Sequence, residues 1–179
     1  FPADWTISSD RLLFRPAGSQ DYGLIDLHDG RLLRRGPLPF SPAALVELST
    51  PDTRSRTGIV GRDFDHQIRM TQLAELGVQW KHEPSGTTHG IPEILTAGGT
   101  MVVIEDRQFA TRIDVATGNP LWRRPISTTP IASVGLMTVL TSEEFFAASD
   151  RVVRAFSLED GSRKWEHYLG PDQWRIRHS

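Results

Sequence analysis

Two phrases 43 residues apart constrain this chain more than anything else in it: "DVATGNPLWRR" at 114–124 and "SLEDGSRKWEH" at 157–167. In both, a Gly follows an acidic or hydroxyl residue, and a Trp stands four positions beyond that Gly. Gly118 and Gly161 keep the 43-residue spacing, as do Trp122 and Trp165. The pattern continues upstream in weaker form. Trp80 lies 42 residues before Trp122, in "TQLAELGVQW", with Gly77 three positions ahead of it. "IDLHDGRLLR" repeats the turn over Asp26 to Gly30 and places Arg34 where the Trp would be. From Gly30 to Gly77 is 47 residues, so the first interval is stretched. A period of this size marks a repeat architecture, in which each unit buries its apolar faces against its neighbours.

Each turn follows two short runs rich in β-branched and aromatic residues. "TMVVIED" and "QFATRIDV" lead to Gly118, "EEFFAASD" and "RVVRAFSL" to Gly161, "TGIVGRD" and "HQIRMTQL" to Gly77, and "DRLLFR" and "YGLIDL" to Gly30. The unit therefore reads as strand, short turn, strand, Gly turn, and a strand carrying the Trp. A fourth strand comes from linking pieces such as "TPIASVGLMTVL" at 129–140. The Gly takes the left-handed position after a type I turn, which a Cβ would disfavour. Asp26 and Asp114 accept backbone N–H groups within the turn. The Trp ring packs between neighbouring sheets. The structural repeat positions are thus Asp26, Gly30, Gly77, Trp80, Asp114, Gly118, Trp122, Gly161 and Trp165.

A helical alternative exists for "TSEEFFAASDRVVRAFSLEDG", which has a Thr-x-x-Glu capping box and a closing Gly. Its register with the other units decides for strands. Residues 41–48, "SPAALVEL", remain a candidate helical turn. Units of about 42 residues with four short strands define the blade of a β-propeller. The expected fold is all-β, a propeller of about four short four-stranded blades. The blades are placed at 9–38, 43–83, 91–126 and 129–169, within a domain over 1–172, and 173–179 form a tail or closing segment.

The charge balance narrows the partners. With 20 Lys and Arg against 22 Asp and Glu, the net charge of −2 argues against a nucleic-acid partner, which needs a basic footprint. The Arg-rich stretches "RLLRR", "WRRP" and "WRIRH" read as solvated faces. The chain has no Cys, which excludes disulfides, thiolate metal sites and a cysteine nucleophile, and leaves the compartment open. No apolar run approaches the roughly 20 residues of a membrane helix, so no transmembrane segment is expected. The opening "FPADWTISS" has neither a basic leader nor a long apolar core, so no signal peptide is expected there.

Few residues of the chain point to chemistry. "GRDFDHQ" sets Asp63, Asp65 and His66 together, with the two carboxylates able to share one strand face. A solvated turn between strands explains the same residues, and is the preferred reading. The six His residues, at 28, 66, 82, 89, 167 and 178, show no metal-binding spacing. "HEPSGTTHG" at 82–90 lacks a nucleophile elbow, and "TAGGT" at 96–100 lacks the Lys of a phosphate loop. No catalytic, cofactor-binding or metal residue is assigned, and no cofactor is expected.

"IDVATGNPLW" at 113–122 and "FSLEDGSRKW" at 156–165 resemble the pyrroloquinoline-quinone-like propeller repeat of quinoprotein-type proteins. Blades of that family carry a phrase like Leu-Asp-x-x-Thr-Gly-x-x-x-Trp. The first matches almost throughout, and the second has Ser157 in place of Asp. The "Gly-His … Trp-Asp" pairing of WD-type propellers is absent. The resemblance extends over about residues 9–170. It implies one of two occupations, a dehydrogenase holding a quinone and calcium, or a cofactor-free scaffold such as the outer-membrane assembly lipoprotein. The dehydrogenases stack their quinone on an adjacent-cysteine disulfide, which this chain cannot make.

Such blades usually close in rings of seven or eight, so these four are expected to be part of a larger ring. Exposed sheet edges would then be completed by further blades of a longer chain, by a protein partner or by a second copy of the chain. The leading expectation is a non-catalytic scaffold or binding module for protein–protein interaction or assembly. Two alternatives stand beside it: a fragment or subunit of a quinoprotein oxidoreductase with its cofactor site in other blades, and a ligand-sensing ectodomain of a signalling protein. The resemblance favours a periplasmic or extracellular location. The Pro-rich stretch at 35–57, "RGPLPFSPAALVELSTPDTRSRT", reads as a linker outside the repeat, either a candidate contact element or an ordinary surface insertion.

Overall fold

The computed structural model describes residues 4–7, 10–48, 56–65, 67–72, 78–84, 92–97, 99–127, 136–149 and 151–170. These form four antiparallel four-stranded sheets, each a meander in chain order, and no helix occurs among the described residues. The first sheet holds β1 (Asp4–Ile7), β2 (Arg11–Arg15), β3 (Asp21–Asp26) and β4 (Leu32–Pro37). The second holds β5 (Ser41–Leu48), β6 (Arg56–Arg62), β7 (Ile68–Gln72) and β8 (Val78–His82). Then come β9 (Glu93–Ala97), β10 (Thr100–Glu105), β11 (Phe109–Ile113) and β12 (Pro120–Pro125). The last sheet is β13 (Met137–Leu140), β14 (Glu144–Ser149), β15 (Val152–Ser157) and β16 (Arg163–Tyr168). The chain divides into two compact units, residues 1–84 with Val115–Gly118, and residues 85–114 with 119–179.

In the first unit, Leu13, Tyr22, Leu24, Phe40, Leu45 and Ile59 make a common core. Two sequence expectations change here. Residues 41–48 are not a helical turn but β5, paired with β6 from Ser41 opposite Arg62 to Leu48 opposite Arg56. Burial of Ala44, Leu45, Val46 and Leu48 outweighs the modest helical preference of Ala, Leu and Glu. Pro42, which has no N–H to offer a ladder, sits at a register shift between Pro42 and Ala44. Gly61 permits the close pairing, since a Cβ there would fall 2.1 Å from the Ser41 carbonyl oxygen. The stretch 35–57 is consequently not a linker outside the repeat. It finishes β4, supplies β5 and begins β6, while 49–55 lie outside the described residues.

In the second unit, "EEFFAASD" and "RVVRAFSL" form the strand pair β14–β15. Phe145, Ala147 and Ser149 are buried and alternate with less buried neighbours, the two-residue period of a strand. Phe145 and Phe156 meet at 5.7 Å between ring centroids, in a core shared with Val102, Ile104, Trp122 and Ile126. The fourth strand does come from the linking piece, as β13, and residues 129–135 of that piece lie outside the described residues. β10 is buried from Met101 through Glu105. Its one carboxylate, Glu105, accepts a hydrogen bond from the Thr111 hydroxyl at 3.0 Å and from Arg123 Nε at 2.8 Å. The Arg123 guanidinium lies 3.7 Å over the Phe109 ring.

One device recurs in all four sheets. The outermost strand carries a register shift that leaves Leu33, Gln79, Leu121 and Lys164 without an opposite residue. Each of these directly precedes the repeat's Trp position, occupied by Arg34, Trp80, Trp122 and Trp165. A bulge re-aims the side chain beside it. Here it acts on the residue that packs beyond the sheet.

Candidate interaction surface

The three Gly turns that fall among the described residues share one hydrogen-bond pattern. The amide at the start of each turn donates to the carbonyl after the Gly: Asp26 to Arg31 (2.9 Å), Asp114 to Asn119 (2.9 Å) and Ser157 to Ser162 (2.8 Å). Gly30, Gly118 and Gly161 have φ of 71°, 76° and 70°, the left-handed region where a Cβ is unwelcome. The Asp26 carboxylate accepts the His28 amide at 2.9 Å, and Ser157 Oγ accepts the Glu159 amide at 3.1 Å. Ser therefore does the turn work of the Asp it replaces. Gly77 lies outside the described residues.

Two tryptophans dock on two of these turns. The Trp80 indole N–H donates to the Val115 carbonyl at 2.8 Å, and that of Trp122 donates to the Leu158 carbonyl at 2.8 Å. Both acceptors stand three residues before a turn Gly. A Cβ on Gly118 would come within 2.6 Å of the Trp80 ring, and one on Gly161 within 2.7 Å of the Trp122 ring. The rings take the space that the missing side chains leave. Trp165 differs. It is 45% exposed, and its neighbour is Phe146 at 6.0 Å between centroids. All six residues of β16 are exposed.

The polar candidates fall in ordinary places. Asp63 and Asp65 sit in the turn between β6 and β7, and His66 lies outside the described residues. Asp63 accepts the amides of Asp65 and Gln67, each at 3.0 Å, and pairs with Arg69. Burial works to raise its carboxyl, but the hydrogen bonds and the Arg69 charge outweigh it and hold it below the usual carboxylate range. His28 and His167 are exposed and His82 is buried, while His89, His178 and most of "HEPSGTTHG" lie outside the described residues. Gly99, with φ of 74°, turns the chain from β9 to β10. Among the described residues no three His, Cys, Asp or Glu side chains gather as metal ligands do.

A groove of about 340 Å³ in the second unit has Arg124, Arg154 and Arg163 in its wall, with Phe156 and Ile126. Arg154 is held by Glu166 (2.8 Å) and by the Ile126 carbonyl (3.1 Å). Arg163 reaches the same Glu166 oxygen at 2.7 Å. The hydrogen bond from Arg154, helped by both guanidinium charges, keeps the Glu166 carboxyl below its ordinary range. Three guanidinium groups thus line the groove, with Glu166 bridging two of them and the Asp160 carboxylate held beside it on the Ser162 amide at 2.9 Å. Sequence reading missed it, because these arginines lie on different strands of two sheets and share no motif. The bulges were missed too, and their only trace is the recurrence of Trp80, Trp122 and Trp165 at intervals of 42 and 43 residues.

Short four-stranded antiparallel meanders, repeated in series and tied by a Trp on a Gly turn, define the class: these are blades of a β-propeller. The model of the family described as outer membrane protein assembly factor BamB matches residues 66–179, and the chain belongs to that family. Among solved structures, BamB from Moraxella catarrhalis is similar with a TM-score of 0.58 and 15% identity, over 93% of this chain and 52% of that one. The C-terminal WD40 domain of Sif2 is similar with a TM-score of 0.57 and 14% identity, over 93% of this chain and 45% of that one. The chain thus spans about half the length of these structures. At such identities the likeness is one of fold. No curated protein matches the chain in sequence.

Proposed function

We propose that the chain is a non-catalytic β-propeller scaffold that engages a protein partner in the assembly of outer membrane proteins, outside the cytoplasm. Family membership supports the setting, through the description its model carries. The observation that carries the binding role is the groove of Arg124, Arg154 and Arg163. Arg163 is 57% exposed, so its guanidinium is available to a carboxylate despite its bond to Glu166. Planar guanidinium groups suit carboxylates, and the apolar floor of Phe156 and Ile126 suits the stem of the same segment. The partner chemistry that fits is an acidic, partly apolar stretch of polypeptide.

The test is a photo-crosslinking residue at Arg163 in the native cell, with one at Phe64, a fully exposed turn residue, as control. Capture at position 163 of a protein that folds or inserts outer membrane proteins, lost on Arg124→Glu, is the expected result. Nothing captured, or the same set at both positions, would overturn the proposal.

A further inference from the structure

Glu166 holds the place in the groove that an incoming carboxylate would need. One oxygen of its carboxylate accepts from Arg154 Nε at 2.8 Å and from the Arg163 guanidinium at 2.7 Å. The two arginines differ in what else holds them. Arg154 has a side chain only 11% exposed, and it also donates to the Ile126 carbonyl at 3.1 Å and to Ser149 Oγ at 3.4 Å. Arg163 and Glu166 have side chains 57% and 40% exposed, so their bond faces water, where such a pair contributes little. Pro120, 43 residues before Arg163 and opposite Ile113 as Arg163 is opposite Phe156, is exposed although a further sheet follows it. The openness at Arg163 therefore belongs to this place in the repeat and not to β16 alone. The nearby Asp160 is engaged elsewhere. Its carboxylate accepts the Ser162 amide within its own turn, and Arg124 reaches its carbonyl instead, at 3.1 Å.

We infer that Glu166 is the groove's built-in competitor: a carboxylate of the acidic segment takes its place on Arg163, while Arg154 stays fixed by the Ile126 carbonyl and Ser149. The assignment rests on the groove reading given above and adds a rule of selection to it. One carboxylate replaces another, so the exchange by itself gains little. What favours the segment is the rest of its contact, apolar side chains against Phe156 and Ile126 and a second acid toward Arg124. A lone carboxylate offers neither, and meets a site already filled.

The experiment titrates the purified chain with a short, end-blocked peptide of alternating Glu and Leu. It follows the carboxyl carbon resonance of Glu166 and the affinity for the peptide. Saturation is expected to move that resonance in the wild type, and acetate at the same carboxylate concentration to leave it in place. Glu166→Gln keeps the shape and removes the charge, so it should bind the peptide about two- to fivefold more tightly. A residue that merely positioned Arg163 would give the opposite sign. Arg163→Gln should abolish binding. Binding that needs Arg163 but leaves the Glu166 resonance unmoved, equal or weaker binding to Glu166→Gln, or equal displacement by acetate would overturn the competitor and leave the groove reading standing. No binding to either form, or binding indifferent to Arg163→Gln, would overturn both.

Discussion

At the scale of single residues, the glycines of the turns have two separable duties. Gly118 both adopts a φ of 76° and leaves room for Trp80, while Gly18 adopts a φ of 75° with nothing among the described residues within 4 Å of where its Cβ would be. The left-handed backbone alone costs an L residue about 1–2 kcal/mol, and overpacking adds about 1–3. Gly118→Ala should therefore destabilise by about 2–5 kcal/mol and Gly18→Ala by only the first part. Urea denaturation of the two variants checks this, and equal losses would mean the ring contact counts for nothing. The hairpin between β10 and β11 shows the converse case. Asp106 and Arg107 have φ of 50° and 56° in a turn closed by the Gln108 amide on the Glu105 carbonyl, 3.0 Å. Such a turn favours Gly at its second central position. Arg107→Gly should raise stability by about 0.5–1 kcal/mol, read as a higher thermal midpoint.

At the scale of strands and turns, ion pairs tie neighbouring segments and set a response to acid. Asp63 anchors the β6–β7 turn and Glu166 ties β16 to Arg154 on β15, opposite it in register. Both carboxyls are held lower in the folded chain than in the unfolded one, so their contribution is complete above about pH 4–4.5 and is lost as pH falls through the folded values. The stability gap between wild type and Asp63→Asn should close on acidification from pH 7, followed by thermal unfolding. A gap of constant width would exclude the assignment. This scale also shows what could be read from the chain alone. The strand pairs were legible because apolar residues alternate and Gly and Asp punctuate them. β5 was not, because "SPAALVEL" has no alternation and its strand state depends on burial against β6 and on the bare backbone of Gly61. The Trp positions were legible as a spacing, whereas their acceptors, backbone carbonyls at Val115 and Leu158, leave no side-chain signature.

At the scale of the whole molecule, stability in a repeat protein is approximately a sum of units and nearest-neighbour junctions. Trp80→Phe keeps most of the ring but leaves the Val115 carbonyl without the indole donor, which should cost about 1–3 kcal/mol, and urea denaturation would show it. The indole bonds have a further use, since each is a proton that leaves for solvent only when its site opens. In deuterated buffer, the Trp80 and Trp122 indole protons should exchange as slowly as their surroundings open, and the Trp165 proton at the rate of a free side chain. Three resonances in one spectrum then count how many tryptophan seats are filled.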